Sequence, residues 1–242
     1  MATSRPLSPL LRGQPHLRPL RIPQRRTFFP NPFDSALNPL NASSAPQTLS
    51  ATRTLPYPSQ PIYSIVSDVA SYSLFLPYCS ASTVTRWSRP DPTYNRKWPS
   101  EAQLVVGFSN FTETFTSRVF CVPGSIVESI GGGTETDLQR GDIAHHLEDG
   151  DKGAKGAGSG LMTHLRSRWT MKALGKERTE VTLALEFAFA NPLYTALSAG
   201  AAPKVADVMI KAFEERVKSL MEKNPDMAHT SLSELEGSSL KS

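Results

Sequence analysis

Few residues of this chain combine the type and spacing that reactive chemistry needs. Glu113 is the one acid that strand alternation sets among apolar neighbours, between Phe111 and Phe115. It could hydrogen-bond a polar headgroup or balance an inward arginine; equally, it could sit at a rim where its carboxylate reaches water. Tyr78 ends the run Leu76-Pro77-Tyr78, and its hydroxyl could meet a carbonyl on an otherwise apolar ligand. His145-His146, with Glu148 and Asp149, has metal-ligand residue types. Adjacent histidines in a glycine-rich stretch read as solvated, however, and no metal site is assigned. Cys79 and Cys121 lie far apart in apolar surroundings, which suits core thiols better than a disulfide framework. No Ser/His/Asp or Cys/His arrangement is readable, so no catalytic residue is assigned. Gly131-Gly132-Gly133 lacks the Gly-Lys-Ser/Thr ending of a phosphate loop and has no helix behind it.

The elements that must position these residues follow from hydrophobic periodicity. A short strand ends at Pro56-Tyr57-Pro58, then Ile62, Ile65, Val66 and Val69 have helical spacing, and a second short turn carries Tyr72, Phe75 and Leu76. Strands are expected over 80–87, 101–108, 111–122 and 125–130, with Ser109-Asn110 and Pro123-Gly124 as turns. Alternation resumes over 161–173, where Leu165, Ser167, Trp169 and Met171 share a face. It is clearest over 180–190, with Val181, Leu183, Leu185, Phe187 and Phe189 on one side. Asn191-Pro192 breaks that strand and can start a helix. From Val205 a long helix follows, with Val208, Met209, Ala212, Phe213, Val217 and Leu220 read as its apolar face. Between the two strand groups, residues 131–160 hold nine of the chain's 15 glycines and read as a flexible insertion. The residues after Asn224-Pro225 read as a frayed polar tail.

Charge divides the chain. Residues 1–49 hold six arginines, no lysine and one acid, Asp34, while the remainder holds 20 basic and 21 acidic groups. The overall charge of +4 therefore belongs to the leader, and the phosphate-backbone argument for nucleic acid loses its support. An Arg-, Ser- and Pro-rich, acid-poor leader has the composition of a mitochondrial transit peptide; a disordered tail with no address is the alternative. The 39% hydrophobic content of the 242 residues suffices for one folded core. The expected divisions are 1–48 leader, 49–223 domain with the 131–160 insertion, and 224–242 tail. An α+β fold follows: an antiparallel sheet with one apolar face, covered by a single amphipathic C-terminal helix.

The segments LPYPSQPIYSIVSDVASYSLFLPYC, Gly107-Phe108 with FTETFTSRV, His164 to Trp169, and EFAFANPLY with KVADVMIKAFEERV resemble the coenzyme Q-binding START-domain family, relatives of the polyketide cyclases. The resemblance spans roughly residues 49–223. It implies a START-like helix-grip fold whose cavity, between curved sheet and long helix, holds ubiquinone without catalysis. It further implies a mitochondrial protein on the matrix side of the inner membrane, needed for efficient respiration and coenzyme Q biosynthesis, with respiratory-chain complexes and the membrane surface as possible partners. Ubiquinone would be a bound ligand; no cofactor is expected. An aromatase or cyclase acting on an aromatic or quinone precursor, with Glu113 or Tyr78 as its acid or base, is the alternative.

An isoprenoid quinone needs apolar walls and few polar groups. The candidates taken to face inward are Phe108, Phe111, Phe115, Trp169, Phe187 and Phe189 on strands, with Val208, Met209 and Phe213 on the helix. Each also suits plain core packing. Leu76-Pro77-Tyr78 could gate the mouth or simply stop a helix, and Glu113 is the polar candidate. Arg118, Arg166, Arg168 and Lys172 alternate to the outer face and most simply solvate it, anionic lipid being the functional alternative.

Overall fold

The structure is a computed structural model that describes residues 46–108, 111–148, 162–191, 194 and 202–235; for Phe108, Phe111, Ala202 and Pro203 it describes backbone only. Seven strands, β1 (Gln47–Leu55), β2 (Cys79–Trp87), β3 (Pro99–Phe108), β4 (Phe111–Val122), β5 (Ile126–Gly132), β6 (Met162–Ala173) and β7 (Thr179–Phe189), form one antiparallel sheet. Its order is β1-β7-β6-β5-β4-β3-β2, so β2 through β7 form a meander and β1 closes against β7. Among the described residues the sheet is accompanied by the helices α1 (Ser59–Ser67) and α2 (Ala202–Lys223) and by the 3-10 turns Val69–Leu74, Ala144–His146 and Pro225–His229. Every strand and the long helix expected from the sequence are present.

Strand alternation sorts the two faces. Val119 and Cys121 on β4, Trp169 and Met171 on β6, and Val181 and Leu183 on β7 enter the main core. From α2 that core receives Ala206, Ile210, Phe213, Val217 and Leu220. The i, i+3, i+4 spacing is that of one helical stripe. It passes beside Val208 rather than through it: Val208 is 41% exposed, which corrects its expected inward orientation, while Met209 is half-buried at the stripe's edge. Arg53 of β1 pairs with Asp207 and Glu214 and ties the helix to that sheet edge.

Register identifies the two ends of the sheet. Leu55 pairs with Thr179, which also pairs with Ala173, and Val122 pairs with Ile126. At this end α1 covers the concave face; the buried Tyr63 aims its hydroxyl at the Ile126 carbonyl, at 3.4 Å, and meets Trp98 edge-on. The opposite end gathers Cys79 opposite Val106, Val106 opposite Glu113, and Met162 opposite Phe189.

Two segments expected to be loose are folded. Gly131 and Gly132 belong to β5, and residues 133–148 cover the outer face of the sheet. There Ile143 and Leu147 join Phe120 and Ile130 in a second apolar cluster. Gly132 needs its small size: φ is +64°, and a Cβ would sit 2.7 Å from the Thr163 carbonyl oxygen. Residues 149–161 lie outside the described residues. Beyond α2 the chain turns through Pro225–His229 and returns to the core, where Met227, Leu232 and Leu235 are buried. Ser64 donates to the Leu235 carbonyl at 3.1 Å and Arg96 to that of Leu232 at 2.9 Å. The sequence missed this because Leu232 and Leu235 are isolated apolar residues in polar surroundings; their burial depends on partners distant in the chain. The first strand begins at Gln47. The leader through residue 45, and the Ser109-Asn110 turn, lie outside the described residues.

Candidate functional site

The concave face changes character along its length. Toward α1 it is filled: Phe213 lies 4.8 Å from Trp169 and 6.3 Å from Phe75, ring centre to ring centre. Tyr72 extends this aromatic row, 5.7 Å from Phe75, and its buried hydroxyl donates to the Val66 carbonyl at 2.7 Å. Burial drives the Tyr72 phenol well above its ordinary pKa, so it remains a neutral donor.

Toward the other end the apolar residues are only half-buried. Phe187 and Phe189 form an edge-to-face pair at 5.7 Å, and Tyr194 follows at 6.1 Å from Phe189. By strand parity Leu165 shares their face, and Met209 is the half-buried residue of α2 nearest its start among the candidates. Phe115 is nearly covered, at 9% exposure. Such a half-buried aromatic and aliphatic surface has the apolar character that an elongated apolar ligand needs.

The expected site residues therefore separate into groups. Trp169 and Phe213 form the floor, with 3% and 1% exposure, and Leu76 packs beneath the rim at 6%. Phe187, Phe189 and Met209 are half-buried, and Phe115 is buried. Pro77 and Tyr78 stand on the rim; Tyr78 is 45% exposed and adopts a left-handed φ of +68°. Its carbonyl accepts the Gly107 N–H at 2.8 Å, which fixes the run to the end of β3. Glu113 is exposed on the same rim, so its carboxylate reaches water. The side chains of Phe108 and Phe111 lie outside the described residues, although the backbone pairs these two across the β3–β4 hairpin. Val208 points away. Sequence reasoning passed over Phe75 and Tyr194: one looked like a helix-turn contact, and the other sits beyond a strand-breaking Asn-Pro.

The outer face carries the polar chemistry. Glu128, with no exposure, accepts from Arg168 Nε at 2.7 Å and lies 3.8 Å from Arg166. Arg168 also contacts Asp137, and its hydrogen bond holds that carboxyl below the ordinary range. Arg166 pairs with Glu186 at 3.4 Å, and Arg118 is 9% exposed. These arginines are thus engaged beneath the 133–148 cover, which corrects the expectation that they solvate the sheet. The two histidines are likewise buried, at 7% and 3% exposure. Asp149 lies outside the described residues. Among the described residues, no three His, Cys, Asp or Glu side chains are placed to hold a metal ion.

A curved antiparallel sheet with one long C-terminal helix packed across its apolar face is the helix-grip arrangement. The chain belongs to the polyketide cyclase/dehydrase and lipid transport family, whose model matches residues 55–214. It is 30% identical over 168 residues to the mitochondrial coenzyme Q-binding protein coq10 of Schizosaccharomyces pombe, covering 69% of this chain and 85% of that protein. It is 31% identical over 166 residues to the ribosome association toxin RatA of Pseudomonas aeruginosa, covering 69% and 92%. A solved START superfamily protein from Mycobacterium smegmatis aligns over 72% of this chain and 98% of its own, with a TM-score of 0.47 and 18% identity.

Proposed function

We propose that the chain binds ubiquinone, coenzyme Q, in the concavity between the sheet and α2 and acts there without catalysis, as a carrier or chaperone. The observation that carries this reading is the half-buried row Phe187, Phe189 and Tyr194, on the same sheet face as the Trp169–Phe213 pair. An isoprenoid tail buried on such a surface gains roughly 25 cal/mol for each Å² of apolar area removed from water. The rim residues Tyr78 and Glu113 stand where a quinone headgroup would meet water. The likeness to the S. pombe mitochondrial coenzyme Q-binding protein supports the same ligand.

On this reading the Arg-rich leader addresses the protein to the mitochondrion. The domain works at the matrix side of the inner membrane, delivering quinone for respiratory electron transport and coenzyme Q biosynthesis. No helix among the described residues is long and apolar enough to cross a membrane, so the contact proposed is peripheral. Solvent extraction of the purified protein, followed by mass spectrometry, tests the ligand. A copurifying isoprenoid quinone, and saturable rebinding to stripped protein, are expected. Absence of both overturns the reading.

A further inference from the structure

Charge is divided unevenly between the two ends of the sheet. At the α1 end, the connection from β2 to β3 carries Arg89, Asp91, Arg96 and Lys97, and that from β6 to β7 carries Lys176, Glu177 and Arg178. At the end that gathers Cys79, Val106 and Phe189, three stretches lose charge altogether. Asp68 is followed by no charged residue until Arg86, Glu101 by none until Glu113, and Glu186 by none until Lys204.

The first of these stretches leads from the 3-10 turn Val69–Leu74 into β2 and sorts its large side chains. Tyr72 and Leu76 enter the core, whereas Leu74 is 64% exposed and Tyr78, four residues on, 45%. The backbone that presents them is fixed. The Leu76 N–H donates to the Tyr72 carbonyl at 2.8 Å, and the Tyr78 carbonyl accepts the Gly107 N–H at 2.8 Å. Beneath it, Phe75 meets Phe213. An exposed apolar surface without charge is unusual on a face that meets only water. It suits lipid, where a charged side chain is costly and tyrosine favours the boundary with the headgroups.

We propose that this end of the domain docks on a lipid bilayer, with Leu74 among the acyl chains and Tyr78 at the headgroup boundary. The proposal rests on the ubiquinone reading, because a quinone dissolved in a bilayer has to pass between lipid and protein, and Phe189 lies at the same end of the sheet. The exposed Glu113 and Lys204, which bound the other two stretches, stay in the hydrated headgroup layer. No cation lies between Asp68 and Arg86, so the attachment is apolar and needs no anionic lipid. A second copy of the chain is the competing occupant, since β2 is an edge strand. The β2–β3 ladder slips at Cys79/Ala81, Val84/Arg86 and Arg86/Trp87, however, and such irregularity turns an edge away from pairing.

Flotation of the full-length protein with phosphatidylcholine vesicles tests this at about 0.15 M and about 1 M NaCl, between which the screening length falls from about 8 Å to about 3 Å. The protein is expected to float at both salt concentrations, which separates apolar docking from attachment through the Arg-rich leader. Leu74→Gln should weaken vesicle partition about tenfold, and so should Tyr78→Asn, which tolerates the left-handed φ of +68°. Trp87→Gln, at the far end of β2 and also exposed, should leave partition unchanged. Absence of flotation, flotation lost in high salt, or equal partition of Leu74→Gln and the native protein overturns the proposal. A solution dimer that Leu74→Gln dissociates also overturns it and assigns the face to a second copy. Quinone rebinding in vesicle-free solution is measured alongside, and Leu74→Gln should retain it. Loss of rebinding in the unsubstituted protein defeats the ubiquinone reading; loss of flotation with rebinding intact defeats the docking alone.

Discussion

His146 Nε2 accepts the backbone N–H of Cys121 at 2.9 Å, just past Glu101–Arg118, the last pair of the β3–β4 ladder in that direction. An imidazole from the outer-face cover thus takes over where the neighbouring strand stops, and satisfies a backbone donor that burial would otherwise leave unpaired. Because Nε2 accepts, the ring proton resides on Nδ1 and is donated to Ser100 Oγ at 3.1 Å. Burial, and next the charge of His145, lower the His146 pKa to about 3; burial lowers His145 too. The neutral ring is the one the fold requires.

Stability should therefore depend on pH in one direction. In the unfolded chain the imidazole titrates near 6.5, so its contribution is fully present above that pH. It is lost as pH falls toward about 3, because the unfolded state takes up the proton first. The loss per group is at most about 1.4 kcal/mol per pH unit. Between pH 6.5 and 5, before most carboxylates titrate, the urea midpoint should fall in the native protein and fall less in His146→Gln. Equal slopes would contradict the assignment.

Floor and wall residues should respond differently to truncation. Phe213→Ala removes the ring between Trp169 and Phe75 and should cost about 3–5 kcal/mol in denaturant unfolding. Phe189→Ala, at the half-buried end, should cost clearly less stability, yet weaken quinone binding by about tenfold in a fluorescence titration. Glu113→Gln, on the exposed rim, should alter stability by less than about 0.5 kcal/mol.

The polar tail should prove structural as far as Leu235. Leu232 is completely buried, and Leu232→Ala should cost about 2–5 kcal/mol, measured by urea unfolding. Truncation after Lys223 removes Met227, Leu232 and Leu235 from the core together and should lower the melting temperature further.

Tyr78 holds a left-handed conformation, which costs an L-residue about 1–2 kcal/mol. Tyr78→Gly relieves that cost and should leave thermal stability equal or higher. Tyr78→Val, β-branched, should lower it by about 1 kcal/mol or more. Comparing the two melting curves separates backbone strain from loss of the ring.

Glu128 is enclosed beneath Arg166 and Arg168. Glu128→Gln should be destabilising by about 1–3 kcal/mol in chemical denaturation, since it weakens charge-assisted hydrogen bonds to the half-buried Arg166 and Arg168. Asp137 and Glu186, which also contact these arginines, set the lower bound of that effect.

Strand positions, the two faces of each strand and the long helix were legible in the sequence, because period-2 and period-3.6 patterns are local. Residues Val181 to Phe189 illustrate this: each odd position goes to the concave face, whatever the rest of the chain does. The aromatic wall followed from the same parity. The helix stripe was legible in Phe213, Val217 and Leu220 but not at its start, since Val208 and Ile210 are equally apolar and only the sheet it packs on chooses between them. Glycine content likewise misled over residues 133–148, whose few apolar anchors, Ile143 and Leu147, find Phe120 and Ile130 across the outer face. The chain alone determined a sheet with one apolar face and a helix to cover it. Tertiary structure decided which of the concave-face residues are fully covered and which half-buried, and that the histidine pair is buried. Both depend on strand register and on contacts between distant segments, which local periodicity does not encode.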